Sequence, residues 1–212
     1  DIWKLDPHGK DTPVNITNGY GRRNKIVLRV VYLQGRNSIN EPPFGKQANV
    51  WLCGFDEKSK KNGFFKKKLD APGDPQRLTM TNSFFYYPDY RLGFVINYNI
   101  AKAEHADIYL LKRMSATEYP NLQITNNFID FKAVTQLGPQ REVNWLTDEL
   151  IQWRTFDGRM GQGILYKPEN FDPQKKYPII FYFYELLSDE LNNFIMPGLS
   201  DGPMNIPWLS LI

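Results

Sequence analysis

The sequence predicts a mainly β fold of short antiparallel strands, which gives way to a different pattern toward the carboxyl end. Aromatic residues, which favour strands over helices, make up 15% of the 212 residues. The 15 glycines and 15 prolines are enough for many tight turns. No strong amphipathic helical pattern precedes residue 145, and strand-like segments recur up to that point.

Three segments resemble one another and indicate a repeated unit. Each is a short apolar run with an aromatic residue, at Trp3, Trp51 and Tyr109. The sequence Asn15-Ile-Thr follows the first run, and the similar Gln123-Ile-Thr follows the third. The gaps of 48 and 58 residues between these aromatic residues are long for a β-propeller blade of about 40–50 residues, and longer loops would absorb the excess.

Further strand candidates lie between the repeats, at residues 26–33 and 94–100. Each unit then offers about four short antiparallel strands. This pattern favours a β-propeller blade, with a β-sandwich as the alternative. A propeller closes with at least about four blades, whereas only about two units are visible, so we expect the chain to be part of something larger.

Composition and charge limit the class of partner. The net charge of +3 is too small to indicate a nucleic-acid partner, and no segment approaches the roughly 20 apolar residues of a membrane span. One basic cluster surrounds Asn62-Gly63, a dipeptide typical of hairpin turns, and we expect a solvated hairpin tip there. Its members are Lys58, Lys60, Lys61, Lys66, Lys67 and Lys68. The single cysteine, Cys53, is expected to be a buried small hydrophobe.

The pattern changes near residue 145. Residues 149–158 are predicted to form a strand that ends in an Asp-Gly hairpin turn, and residues 163–168 a second strand. After a loop marked by prolines, residues 179–184 are apolar almost without a break. Such a run is typical of a strand covered on both faces, as in the sheet of an α/β enzyme.

The segment WRTFDGRMGQGILYKPENFDPQKKYPIIFYFYE, residues 153–185, resembles the prolyl oligopeptidase family of serine peptidases. The likeness lies in the strand pair, the Lys-Pro-x-x-Phe-Asp loop and the Lys-Lys-Tyr-Pro strand, and the repeated units resemble that family's blade strands. It implies about two blades of a partial β-propeller over residues 1–145, followed by the start of an incomplete α/β-hydrolase domain over residues 146–212. The chain, which begins Asp-Ile-Trp with no Met and no signal peptide, is then expected to be a fragment or a processed chain.

The resemblance implies a parent protein that hydrolyses short peptides by nucleophilic acyl transfer, without a cofactor. The family's nucleophile lies in a Gly-x-Ser-x-Gly elbow between a strand and a helix, with Asp and His following it. Such a motif surrounds Ser200, but prolines flank it and no histidine follows, so we interpret it as a coincidence. The only histidines, His8 and His105, are expected on the surface. With no nucleophile assigned, this chain is predicted to be inactive alone.

One site residue follows from the resemblance. The family's Tyr-Pro strand ends in a tyrosine whose hydroxyl helps to hold the oxyanion, and Tyr184 occupies that place. Glu185 follows it, whereas many members have Gly-Gly or Ala-Gly-Pro there, so a register shift to Tyr182 stays open. The Glu-Glu pair that the dipeptidyl peptidase branch uses is absent from the chain, which does not exclude that branch.

Other motifs point to structure. The glycines between Gly158 and Gly163 join two predicted strands, which indicates a hairpin and not a phosphate cradle. No Cys/His cluster has metal-ligand spacing. Two adjacent carboxylate pairs are expected to be solvated charge, because strand neighbours point apart. These pairs are Asp148/Glu149 and Asp189/Glu190.

Two other functions stay open. The chain could be a non-catalytic, propeller-like module that binds a peptide or protein, and its exposed sheet edges would favour self-association. It could also be a β-rich carbohydrate-binding or surface protein. The resemblance is compatible with a bacterial protein that is either exported to the periplasm or cytoplasmic.

Overall fold

A computed structural model describes residues 1–31, 44–45, 47–85, 100–199 and 204–210. Of the strand candidate at 94–100, all but Ile100 lies outside these residues. The strands, numbered in chain order, are β1 (Trp3–Lys4), β2 (Val14–Asn15), β3 (Ile26–Val30), β4 (Asn49–Asp56), β5 (Asn62–Lys68), β6 (Gln76–Thr81), β7 (Ala101–Lys102), β8 (Tyr109–Ser115), β9 (Glu118–Thr125), β10 (Lys132–Ala133), β11 (Leu146–Arg154) and β12 (Met160–Pro168). Two short helices are α1 (Tyr20–Asn24) and α2 (Ile206–Ser210), and 3-10 turns cover Pro139–Glu142 and Leu187–Glu190. No helix in this part of the chain has the length and apolar character to cross a membrane.

Within the described residues, the strands form two four-stranded sheets and two hairpin-like pairs. The order of hydrogen-bonded neighbours is β3-β4-β5-β6 in the first sheet and β10-β9-β8-β7 in the second. Strands β1 and β2 pair with each other, as do β11 and β12, both antiparallel. The predicted mainly β fold with antiparallel sheets is therefore confirmed.

The chain divides into two compact units. Unit 1 comprises Asp1–Arg113 with Leu122–Thr135, and unit 2 comprises Met114–Asn121 with Gln136–Ile212. The domain boundary expected near residue 145 stays a prediction.

The first sheet, in unit 1, is covered on both faces. Side chains alternate along β4, so that Val50 and Leu52 join one apolar cluster while Trp51 and Cys53 join the other. In β5 the neighbours Phe64 and Phe65 divide in the same way, and both are fully buried. Burial on both faces explains why these strands are apolar at successive positions. Cys53 is buried, as predicted.

Two aromatic residues of the repeated units meet in this core. The Trp51 ring lies edge-on to the Tyr109 ring, with 6.2 Å between centroids, and the Trp51 Nε1–H donates to the Tyr109 hydroxyl at 3.1 Å. The Phe128 ring packs against both, with centroids 4.9 and 4.7 Å away. The recurring aromatic position therefore connects β4 of the first sheet to β8 of the second.

The hairpin between β4 and β5 has a different turn from the predicted one. Residues 57–61 make the turn, with Lys60 at a φ of 62°, whereas Asn62 and Gly63 are the first residues of β5. Asp56 fixes the turn, because its side chain accepts backbone N–H bonds from two turn residues. Gly63 has another role, since a Cβ there would overlap the carbonyl oxygen of Thr79 in β6.

The expectation that the whole lysine cluster is solvated is wrong for two members. Lys60 and Lys67 are both 3% exposed. The Lys67 ammonium donates to the carbonyl oxygens of Ala71 and Gly73, at 2.7 and 2.8 Å, so backbone oxygens replace water around the charge. Lys67 thereby fixes the loop that follows β5.

In unit 2, strands β11 and β12 form the predicted hairpin. Their register is continuous from Leu146 opposite Pro168 to Arg154 opposite Met160. Gly158, at a φ of 84°, provides the left-handed position of the turn. The glycine-rich stretch is thus a hairpin, as predicted.

A small aromatic core holds the rest of unit 2. The rings of Trp145 and Phe194 are stacked at 5.0 Å, and Tyr119 lies edge-on to Phe194 at 5.3 Å. The Trp145 Nε1–H donates to the carbonyl oxygen of Ala116 at 2.9 Å. Trp145, Ala116 and Phe194 are all buried.

Candidate functional site

The strand that was predicted to end at the oxyanion candidate Tyr184 is absent, because residues 176–184 contain no strand. The six side chains from Ile179 to Tyr184 are exposed by 64, 60, 80, 46, 88 and 79%, in chain order. Because strand neighbours point to opposite faces, exposure at every position leaves both faces uncovered. The prediction of a strand covered on both faces is therefore wrong for this structure. A strand requires backbone partners, and no other described segment pairs with this one.

The loop that leads into this segment is ordered. The Asp172 backbone N–H donates to the Tyr177 hydroxyl at 3.0 Å, and the Phe171 and Tyr177 rings lie 4.9 Å apart. The Lys167 ammonium lies over the Phe171 ring, 5.5 Å from its centroid. The Lys-Pro-x-x-Phe-Asp sequence therefore builds a local turn that fixes where the apolar run begins.

Tyr184 and Tyr182 sit on the exposed run, outside any enclosure. An oxyanion donor acts strongly where water is excluded and the donor is held in place. An exposure of 79% for Tyr184 and 46% for Tyr182 gives neither condition in this structure. The oxyanion role of Tyr184, and the alternative register on Tyr182, stay predictions.

The histidines and the serine of the Gly-x-Ser-x-Gly motif are either exposed or outside the described residues. His8 and His105 are exposed, as predicted, and the His105 imidazole lies 3.9 Å from the Glu104 carboxylate. Ser200 of the Gly-x-Ser-x-Gly motif lies outside the described residues. Within the described ranges, no group of three His, Cys, Asp or Glu side chains is arranged to hold a metal ion.

A polar cluster in unit 2 escaped the sequence analysis. Tyr166 of β12 stands directly opposite Asp148 of β11. Burial raises the pKa of Tyr166 well above its usual range, and the charges of Asp148 and Glu190 raise it further. Burial also raises the pKa of Asp148. The tyrosine therefore holds its proton more firmly than an exposed tyrosine does, which favours its hydroxyl as a hydrogen-bond donor.

This cluster corrects the interpretation of the carboxylate pairs as solvated charge. Asp148 is half-buried and Asp189 is only 8% exposed, whereas Glu149 is exposed and pairs with Lys167 at 3.3 Å. The only available signal was the position of Asp148 opposite Tyr166, which depends on the hairpin register. The turn type and the length of the loop between Arg154 and Met160 set that register.

No family model matches the chain, and no curated protein matches it either. Functional inference for this chain therefore rests on its own residues and their geometry.

Proposed function

We propose that this chain belongs to a serine peptidase of the prolyl oligopeptidase type, and that it contributes propeller-type sheets and the opening strands of the hydrolase domain. The observation that carries the proposal is the apolar run at residues 179–184, which is exposed along its whole length. It follows the β11–β12 hairpin and the ordered Lys-Pro-x-x-Phe-Asp loop, the same order that the family resemblance implies.

The chemistry of the run supports a strand buried in a larger sheet. Its residues are β-branched or aromatic, the types that pack best in strands. Parallel sheets of α/β proteins are covered by helices on both faces, so their strands are apolar at successive positions. A run with this composition and two bare faces is what such a strand looks like without its neighbours.

The first sheet of unit 1 supports the propeller part of the proposal. It has four antiparallel strands in sequential order, β3-β4-β5-β6, and apolar clusters cover both of its faces. Blades of a propeller are four-stranded sheets of this kind, each packed between its neighbours. The contact between Trp51 and Tyr109 joins equivalent positions of two repeated units, as packing between successive blades requires.

In this proposal the reaction is acyl transfer from a peptide to a serine and then to water. Tyr184 donates its hydroxyl to the oxyanion that forms on the peptide carbonyl. The serine, aspartate and histidine of the triad are not assigned to any described residue of this chain.

A fluorophosphonate probe, which labels activated serines, tests the proposal. We expect the protein expressed from its complete reading frame to be labelled and to cleave a chromogenic peptide after proline, and the 212-residue chain to do neither. Absence of labelling in the first protein would refute the peptidase proposal. Labelling of the 212-residue chain that a Ser200→Ala substitution abolishes would refute our interpretation of Ser200.

The role of Tyr184 has its own test in a labelled, active protein. Tyr184→Phe is expected to reduce kcat by about 10²–10³-fold, the usual effect of losing one oxyanion donor, with little change in KM. Tyr182→Phe is the matched control and should leave kcat unchanged. If Tyr182→Phe instead shows the loss, the register is shifted by two residues.

The exposed apolar run at residues 179–184 also favours a second candidate function, a non-catalytic module that binds a protein. Its specific expectation is self-association of the 212-residue chain through this segment. Light scattering after size exclusion would show a dimer that Phe181→Glu converts to a monomer. A monomeric wild-type chain would remove the support for this candidate.

A further inference from the structure

The turn end of the β11–β12 hairpin presents apolar side chains to solvent, and the proposed function does not use it. From residue 152 to residue 160, every residue except Thr155 is exposed. Phe156 is fully exposed, and Met160 and Trp153 are 61 and 47% exposed. Single exposed apolar residues are ordinary, whereas three on one short hairpin end indicate an interaction surface. We call residues 153–160 the hairpin tip.

The backbone of the hairpin tip is held in place around Phe156. The Gly158 N–H donates to the Thr155 carbonyl oxygen at 3.0 Å, and the Thr155 N–H donates to the Arg159 carbonyl oxygen at 2.8 Å. Phe156 therefore occupies the second position of a closed turn. Because this backbone is already ordered, binding at Phe156 costs little conformational entropy.

Trp153 is fixed against the strand that follows the turn. A Cβ on Gly161 would lie 2.6 Å from the Trp153 Cε2, and a Cβ on Gly163 would lie 3.2 Å from its Cζ3. The indole therefore lies across both glycines, which leave room for it because they have no side chains. Its remaining surface is open to solvent, so the hairpin tip carries a rigid aromatic group beside the apolar turn.

The hairpin tip also carries one uncompensated positive charge. The Arg159 Nε lies 2.8 Å from the Asp157 carboxylate, so these two charges neutralise each other. Arg154 is exposed, has no ion pair among the described residues, and stands opposite Met160 at the last residue pair of the hairpin. A cation therefore lies directly beside the apolar side chains, which favours a partner surface that combines anionic and apolar groups.

A lipid surface fits this arrangement better than a protein does. A stable protein interface buries about 800 Å² on each partner, whereas three side chains of this size supply roughly 600 Å² at most. A bilayer surface imposes no such minimum, because binding there grows with the apolar area inserted and with attraction to anionic headgroups. Tryptophan, moreover, is enriched at the headgroup level of membranes.

We propose that the hairpin tip docks on a phospholipid surface that carries anionic headgroups. Phe156 and Met160 enter the boundary between headgroups and acyl chains, and Trp153 lies at the headgroup level. The Arg154 guanidinium binds a lipid phosphate. The proposal uses only exposed residues of unit 2 and does not rest on peptidase activity.

Cosedimentation of the 212-residue chain with vesicles tests the proposal. One set of vesicles is phosphatidylcholine alone, and the mixed set contains phosphatidylcholine and phosphatidylglycerol in about a 2:1 ratio, which supplies the anionic headgroups. At low ionic strength we expect binding to the mixed vesicles to be about fivefold or more tighter, and to weaken as salt is added. Absence of binding to the mixed vesicles, or equal binding to both sets, would overturn the proposal.

Two matched serine substitutions locate the contact. Phe156→Ser should weaken binding to the mixed vesicles by about tenfold or more, because the phenylalanine ring no longer leaves water on binding. Phe181→Ser, the same change in the other exposed apolar run, should leave binding unchanged. Both residues are exposed, so neither substitution should lower the urea concentration at which the chain unfolds. Loss of binding in Phe181→Ser alone would place the contact at residues 179–184 and overturn the proposal.

The charge has its own matched pair of variants. Arg154→Gln should weaken binding to the mixed vesicles by about fivefold. Arg22→Gln removes an exposed arginine of α1 and changes the net charge equally, so it should have a much smaller effect. Equal losses in the two variants would overturn the assignment of Arg154, because net charge alone would then explain the attraction.

Fluorescence distinguishes a lipid contact at Trp153 from a contact with another protein molecule. Brominated acyl chains should quench part of the tryptophan fluorescence of the wild type, and Trp153→Phe should lose that part. Quenching that is the same in Trp153→Phe would contradict the proposal. If Phe156→Ser changes the mass of the chain in light scattering but not its binding to vesicles, the hairpin tip binds a second copy of the chain and the lipid proposal is wrong.

Discussion

Two apolar runs of this chain, residues 50–55 and 179–184, are similar in composition and opposite in exposure. The first lies in β4, paired with β3 and β5 and covered on both faces, and all but one of its residues are buried. The second has no strand partner among the described segments, and every residue is exposed. The difference shows that an apolar run becomes a buried strand only under two conditions. Neighbouring strands must pair with its backbone, and other parts of the protein must cover both of its faces.

The largest effect expected from this comparison comes from matched phenylalanine truncations. Phe64 is fully buried among Phe85, Phe128 and Phe131, whereas Phe181 is 80% exposed. Phe64→Ala should lower the free energy of unfolding by about 3–5 kcal/mol, and Phe181→Ala should change it by less than about 0.5 kcal/mol. Urea denaturation of both variants measures this. Similar losses in the two would show that the run at 179–184 is packed in solution.

The next largest effect is expected at Gly63. A methyl group there would overlap the backbone of β6, which has no flexible end to move away, so Gly63→Ala should destabilise the chain by about 1–3 kcal/mol. Gly45→Ala is the control, because a Cβ at Gly45 meets nothing within 4 Å. If the Gly63 variant unfolds at the wild-type urea concentration, β5 and β6 do not approach as closely as described.

The first sheet and the hairpin could be predicted because their signals are local. Apolar runs at residues 26–33 and around Trp51 marked β3 and β4, and Asp157-Gly158 marked the turn between β11 and β12. The turn before Asn62 was misplaced, because Asp56 and its side-chain hydrogen bonds compete with the Asn-Gly preference. Burial of Lys67 depends on two carbonyl groups of the following loop, which no sequence pattern shows.

The candidate site was less predictable for a physical reason. Whether residues 179–184 are buried depends on partners far away in sequence or in another part of a larger protein. One cavity combines residues of β6, β8 and the loop at 129–131, which only the packing of the sheets brings together. Tyr166 and Asp148 meet through the hairpin register.

A smaller effect is expected from the contact that joins the repeated units. Tyr109→Phe removes the acceptor of the Trp51 Nε1–H bond and should cost about 1 kcal/mol of unfolding free energy. Tyr184→Phe, the same deletion on the exposed run, should cost nothing measurable. A double-mutant cycle of Tyr109→Phe with Trp51→Phe should show coupling of about 0.5 kcal/mol or more. Additivity within error would mean that the bond does not form in solution.

The smallest effect is a pH dependence in unit 2. Burial raises the pKa of Asp148 above its ordinary 3.8, so the folded chain holds this proton more tightly than the unfolded chain. The carboxyl therefore reduces stability as the pH rises from 3.8 through the raised pKa, and the reduction is complete above it. Asp148→Asn should raise the free energy of unfolding at pH 7 and flatten this part of the profile. Glu149→Gln, at an exposed neighbour, should not flatten it, and identical profiles for the two variants would contradict the burial of Asp148.

Hydrogen exchange at residues 179–184 tests the peptidase account most directly, with residues 50–55 as the internal reference. Mass spectrometry should show slow exchange of the reference both in the 212-residue chain and in the protein expressed from its complete reading frame. The run at 179–184 should exchange rapidly in the chain and slowly in the complete protein, where a hydrolase sheet would bury it. Rapid exchange of that run in both proteins would contradict the account.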